Sequence, residues 1–193
     1  MNREWLLLFL PGFIVGLTVH EAAHAITAKW FGDDTAERMG RVSLNPLRHL
    51  SPMGTVALFF LGFGWGRPVV VNIHNFRKPR LHYLLSSLAG PGSNLILCVV
   101  ALGVLYLRPM REIAWICLSI YYINAILAVV NLLPIPPLDG SKIWPVIIPG
   151  MPAVISGKWN MIWIIVLVVV FYTGAIGYVI GPVFEFLTVL LPG

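Results

Sequence analysis

Apolar runs long enough to cross a bilayer constrain this chain more than any other feature. Four stand out: Trp5–Trp30, Leu81–Leu107, Ile113–Leu133 and Trp159–Ile180, the last followed by a Gly181-Pro182 break and an apolar tail. Each has the roughly 20 residues a helix needs to cross a hydrocarbon core of about 30 Å. The 193 residues are 58% hydrophobic and only 11% charged, whereas a soluble domain carries roughly 25% charged residues. The expected fold is an all-α polytopic membrane protein of about four transmembrane helices. It reads as one domain over residues 1–193, because no linker, charge block or repeat divides it.

Met53–Phe63 is apolar too, but as a helix it reaches only about 17 Å. With its flanking glycines it is expected to be a re-entrant or membrane-dipping segment. The basic residues favour that choice. With four spans, Arg3, Arg108 and Arg111 fall on one side and the other ten of the thirteen Lys and Arg residues on the opposite side. A bias of this kind marks the second side as cytoplasmic. The net charge of +5 therefore reads as a topology signal, and nucleic acid is not an expected partner. In the first cytoplasmic loop, Arg41–Pro46 and Val69–Ile73 are expected to form small β-strands, paired or with an edge open to an extended peptide. Cys98 and Cys117 lie in apolar runs and read as small buried hydrophobes. The first run has no small-residue cleavage site and reads as a span, not a removable leader.

Inside that first span lies His20-Glu21-Ala22-Ala23-His24. On a helix this spacing puts two imidazoles on one face, one turn apart, where they can hold Zn²⁺. The glutamate between them can take a proton from a metal-activated water, and the pattern is a known metalloprotease signature. Ionisable groups at membrane depth are expensive, so three in five positions point to function. A catalytic zinc site needs a third protein ligand. Asp33 and Asp34 follow the helix too closely and are expected in solvent, while Glu112 and Glu185 fall on or return toward the other side. Asp139 is the candidate, directly after a stretch with prolines at 134, 136 and 137 that cannot continue the third helix. Its alternative role is a cap on the segment Ser141–Ile148. His49, His74 and His82 are expected to be solvated or interfacial.

Three stretches together carry a resemblance. His20–His24, Gly90-Pro91-Gly92-Ser93-Asn94 and Asn131-Leu132-Leu133-Pro134-Ile135-Pro136-Pro137-Leu138-Asp139-Gly140 resemble the signatures of the site-2 protease family of intramembrane zinc metalloproteases, peptidase family M50. They occur in the family's order, and the likeness covers about Trp5 to Ile148. It is a likeness to the minimal members, without PDZ or CBS domain. Ser51 stands where many such members carry an aspartate, so no role is carried to it.

The resemblance implies one Zn²⁺ per chain on His20, His24 and Asp139, with Glu21 as catalytic base. It implies an integral, multi-pass protein of a prokaryotic cell membrane that cuts transmembrane segments of other membrane proteins, its active site nearer the cytoplasmic side. Asn94 and Asn131 are candidates for substrate contact or oxyanion support. The alternative for each is a helix–helix hydrogen bond, the default for Asn94. A membrane metal transporter, or a non-catalytic metal-binding relative, using the same ligands is the rival reading. Glu21 separates them, since transport needs no acid beside the first ligand.

Overall fold

The computed structural model describes residues 3–61, 64–148, 150–151, 165–166, 168–170 and 172–192. These residues are mostly helical. Helix α1 covers Arg3–Trp30, α2 Thr35–Arg38, α3 Pro52–Leu61, α4 Pro79–Tyr106, α5 Arg111–Asn131, α6 Gly140–Ile147 and α7 Gly177–Val189. Three of them are long and apolar enough to cross a membrane: Phe9–Trp30 within α1, and the whole of α4 and α5. The expected fourth span, Trp159–Ile180, lies largely outside the described residues. Its described end turns at residues 173–176, where Gly174 has φ +75°. Helix α7 then runs through Gly181-Pro182 without the break expected there.

α1, α4 and α5 each pack on the other two. Small residues let α1 approach α5: a Cβ on Gly12 would lie 2.3 Å from Ser119 O, and one on Gly16 would lie 2.6 Å from Asn124 Oδ1. The Gly12 amide, next to Pro11, donates to Ser119 Oγ at 3.0 Å. Two apolar clusters fill the remaining contacts. Phe13, Leu17, Leu58 and Ile123 join α1, α3 and α5. Cys98, Leu105, Cys117, Tyr121 and Leu187 join α4, α5 and α7. Both cysteines are free and buried in the second cluster.

α3 is ten residues long, about 15 Å at 1.5 Å per residue. The chain enters it past Leu50 and comes back at Gly66, and these two residues form an antiparallel bridge. The segment therefore goes out and returns. That bridge is isolated, and no strand occurs among the described residues. Arg41–Pro46 is a bend leading into a 3-10 turn, with Asn45 Oδ1 accepting from the Leu47 amide. Val69–Ile73 does not pair with it, because side chains claim its amides. Val69 N–H donates to Glu21 Oε2 at 3.0 Å, and Asn72 N–H donates to Asp33 Oδ2 at 2.6 Å.

Asp33 corrects a sequence expectation. It is fully buried, not solvated. Its Oδ1 accepts from the Thr35 amide, the Thr35 hydroxyl and Asn75 Nδ2. Together with the Asn72 bond, these tie the segment at residues 69–75 to the end of α1. Asp34 is exposed and pairs with Arg38. His49 is likewise fully buried, its Nε2–H donating to Ser43 O at 2.7 Å. His82 stacks on Phe31 with ring centroids 4.3 Å apart.

Burial pushes the Asp33 carboxyl up, but its four donors outweigh this and hold it below the usual carboxylate range. A depressed folded pKa contributes stability that is present above the unfolded value, about 3.9, and lost as pH falls through the folded one. Asp33→Ala should lower stability by about 2 kcal/mol at neutral pH. Thermal unfolding of detergent-solubilised protein should show the gap between parent and variant closing as the pH drops below 4.

Candidate metal centre

Gly12, Gly16, His20 and His24 recur every four residues along α1 and share one face. The glycine half of that stripe meets α5, and the imidazole half meets α4 and Asp139. Asp139 arrives from the stretch between α5 and α6. The Leu133–Pro137 segment ends α5, and Gly140 folds so closely onto its end that a Cβ would lie 2.2 Å from Leu133 O. Trp144 Nε1–H fastens the return by donating to Leu132 O at 2.6 Å. Asp139 occupies the N-cap position of α6, yet its carboxylate makes no capping bond. It is turned instead toward the histidines.

There it completes a near-equilateral triangle. His20 Nε2 and His24 Nε2 are 3.1 Å apart, and Asp139 Oδ2 is 3.1 Å from the first and 3.0 Å from the second. All three residues are buried. Among the described residues this is the group of acid and histidine side chains able to hold a metal ion. The second carboxylate oxygen, Oδ1, accepts from Lys142 Nζ at 2.8 Å. Burial pushes the Asp139 carboxyl up, but His24 and the Lys142 ammonium facing it hold it well below the usual range, so it is an anion.

The backs of both rings decide what their fronts offer. His24 Nδ1 lies 2.6 Å from Ser86 O, and a carbonyl only accepts, so the proton sits on Nδ1. His20 Nδ1 faces Asn94 Oδ1 at 2.7 Å, with the same consequence. With Nδ1 committed in this way, each ring turns Nε2 to the centre. Two ring nitrogens and a carboxylate oxygen converge at about 3 Å, a donor set suited to a metal cation. The edges of a tetrahedral zinc site with 2.0–2.1 Å bonds are about 3.3 Å long, close to the triangle observed. The residues present fit a metal ion.

Glu21 lines the same cavity, of about 350 Å³, together with the triangle. Pro68, Val69, Val71 and Ile73 form one wall, and Tyr83, Asn131, Pro137 and Lys142 lie on others. The Val69 amide on Glu21 Oε2 fixes the direction of that carboxylate.

Asn131 reaches the cavity, but its Nδ2 donates to Leu127 O of its own helix at 2.9 Å. Asn94 does not line the cavity. It sits fully buried behind His20, and its Nδ2 is committed to Asn124 Oδ1 and Gly16 O. That position supports a ring, not an oxyanion. Sequence reasoning passed over Asn124 and Lys142. A lone amide in the third span and a cation three residues after Asp139 were the available signals. The part played by Ser86 belongs to its backbone carbonyl, which no side-chain pattern marks.

Comparison with known proteins agrees with this chemistry. A model described as peptidase family M50 matches residues 110–173. The chain is 41% identical over 179 residues to “Putative zinc metalloprotease YwhC” of Bacillus subtilis, covering 88% of this chain and 82% of that protein. It is 32% identical over 175 residues to “Putative zinc metalloprotease Rip2” of Mycolicibacterium smegmatis, covering 84% and 67%. No solved structure matches it significantly.

α4 approaches the triangle with bare backbone at Gly90. A Cβ there would lie 2.3 Å from His24 Nε2 and 2.7 Å from His20 Cε1. Gly90→Ala should displace the imidazoles and abolish stoichiometric metal binding. A Cβ on Gly92 meets nothing within 4 Å, so Gly92→Ala should keep the metal. Metal content of the purified variants, at matched folded fraction, checks the contrast.

Proposed function

The chain belongs to peptidase family M50, the site-2 protease family, and from that premise we propose that it is a zinc endopeptidase of the membrane interior. In this reading it hydrolyses peptide bonds in or near the transmembrane segments of other membrane proteins. The observation that carries it is the convergence of His20 Nε2, His24 Nε2 and Asp139 Oδ2 beside the Glu21 carboxylate on one cavity. These three side chains would hold one zinc ion.

Bound zinc would supply Lewis-acid polarisation and a more acidic water. The chain's own residues do the rest. Glu21 takes a proton from the attacking water and passes it to the leaving amine. The Val69 amide keeps Glu21 aimed while this happens. Lys142 holds Asp139 Oδ1, so that Oδ2 alone turns inward. The wall from Pro68 to Ile73 shields the reacting bond from bulk water.

A peptide bond in a transmembrane helix is protected by its own hydrogen bonds, so the substrate unwinds locally before it is cut. The distribution of the thirteen basic residues supports a multi-pass topology with the site nearer the cytoplasmic side. The return of the chain at Leu50 and Gly66 supports α3 as a re-entrant element on that side.

Glu21→Gln should keep zinc and lose at least about 100-fold in cleavage of a helical substrate. Asp139→Ala should lose the metal itself. Chelation should stop the parent and added zinc should restore it. Cleavage by purified Glu21→Gln at the parental rate would exclude Glu21 as the base, whereas a metal-loaded parent that cuts no helical substrate would leave a metal-binding or transport role in place of hydrolysis.

A further inference from the structure

His20 and two buried side chains behind it, one residue from each of three helices, form a line. It starts on α5, where Asn124 Nδ2 donates to Ile120 O, one turn back, at 2.8 Å. That bond orients the amide so that Asn124 Oδ1 points toward α4 and accepts from Asn94 Nδ2 at 2.8 Å. The other Asn94 proton goes to Gly16 O on α1 at 3.2 Å. With both protons spent, Asn94 has only its oxygen for His20 Nδ1, 2.7 Å away. Orientation thus passes from a backbone carbonyl through two amides to an imidazole. Asn94 and Asn124 are both completely buried, so water does not substitute for any member.

We propose that Asn124 is a positioning residue for the candidate metal centre: acting through Asn94, it keeps His20 in the Nδ1-protonated tautomer whose Nε2 is free to bind a metal ion. The metal part of this inference rests on the reading of His20, His24 and Asp139 given above. If Asn94 turned over, its NH₂ would face His20 Nδ1, which would have to accept. The His20 proton would then move to Nε2 and sit where the ion belongs. Partners behind metal-bound histidines act in this way, and their loss commonly costs 10–100-fold in metal affinity.

A simpler role for Asn124 is polar glue between helices. The two roles make different demands. Glue depends on the fit of the side chain, whereas the relay needs an acceptor oxygen at one place. That place is tight, since the Oδ1 atom lies 2.6 Å from where a Gly16 Cβ would be. Asn124→Asp preserves the shape and, as the neutral acid favoured by full burial, both the acceptor toward Asn94 and a donor toward Ile120 O. Asn124→Leu approximates the shape and removes the acceptor. Gly16 O still opposes a flip of Asn94, at a longer distance, so the loss should be partial.

The test uses the full chain in detergent micelles with ¹⁵N-labelled histidine, metal-free, at a pH where the imidazoles are neutral. His20 should be protonated at Nδ1 in the parent and in Asn124→Asp. In Asn124→Leu it should populate the Nε2-protonated form. His24, held by Ser86 O, should stay Nδ1-protonated throughout and serves as the internal control. Zinc affinity, measured by chelator competition, should fall about tenfold or more in Asn124→Leu and stay near the parental value in Asn124→Asp. A folded Asn124→Leu protein with the parental His20 tautomer overturns the proposal. So does an Asn124→Asp protein as impaired as Asn124→Leu. If the leucine variant does not fold, Asn124→Ala makes the same comparison. The tautomer readout needs no metal, so a parent that binds no zinc would end the metal reading while the relay is still decided by His20.

Discussion

Three lone-pair donors packed about 3 Å apart in a buried space repel one another until a cation joins them, and much of this molecule is arranged to hold them there. Burying an uncompensated carboxylate or leaving polar ring atoms unpaired is costly in a protein and more so in lipid. The chain meets this cost by committing the neighbouring polar atoms. Ser86 O and Asn94 take the backs of the rings, and Lys142 takes the second Asp139 oxygen. The donor atoms that remain at the triangle face one cavity. Reactivity is concentrated there because the alternatives have been used up.

The wall of that cavity shows the same economy. The segment at residues 67–77 has no strand partner, yet it is tied at several points. Arg67 N–H donates to His49 O, Asn72 N–H to Asp33 and Arg77 N–H to Phe31 O. Between these ties Val69 reaches Glu21. Two carboxylates, one at the end of α1 and one inside it, therefore position an extended segment over the triangle without a sheet.

What the sequence discloses and what it hides divide along physical lines. The three candidate spans among the described residues are visible because length and apolarity are local properties. The histidine pair is visible because helical periodicity is fixed, and Asp139 because prolines must interrupt the third helix where a carboxylate follows. Burial of a polar residue is not local. Asp33 and His49 look like surface residues until their partners are folded around them, and two of the four donors on Asp33 come from Asn72 and Asn75, 39 and 42 residues further along the chain. The expected strands failed for the same reason, since Glu21 and Asp33 took amides that a ladder would have used. Asn94 stands out in the sequence as a polar residue in an apolar span. Its place behind His20 depends on how α4 and α5 pack, which no spacing within α4 records.

The four-residue stripe on α1 has a wider consequence. Gly12 and His24 are twelve residues apart, about 18 Å along a single rigid rod. The seating of the glycine end against α5 sets the rotation and depth at which the imidazole end meets its aspartate. A bulky residue inserted between α1 and α5 would be felt at the far end as a mis-aimed ring, with every reacting group still in place. Distance from the chemistry is a poor guide to tolerance in this protein: the helix works as a lever arm, and its fulcrum is a pair of missing side chains.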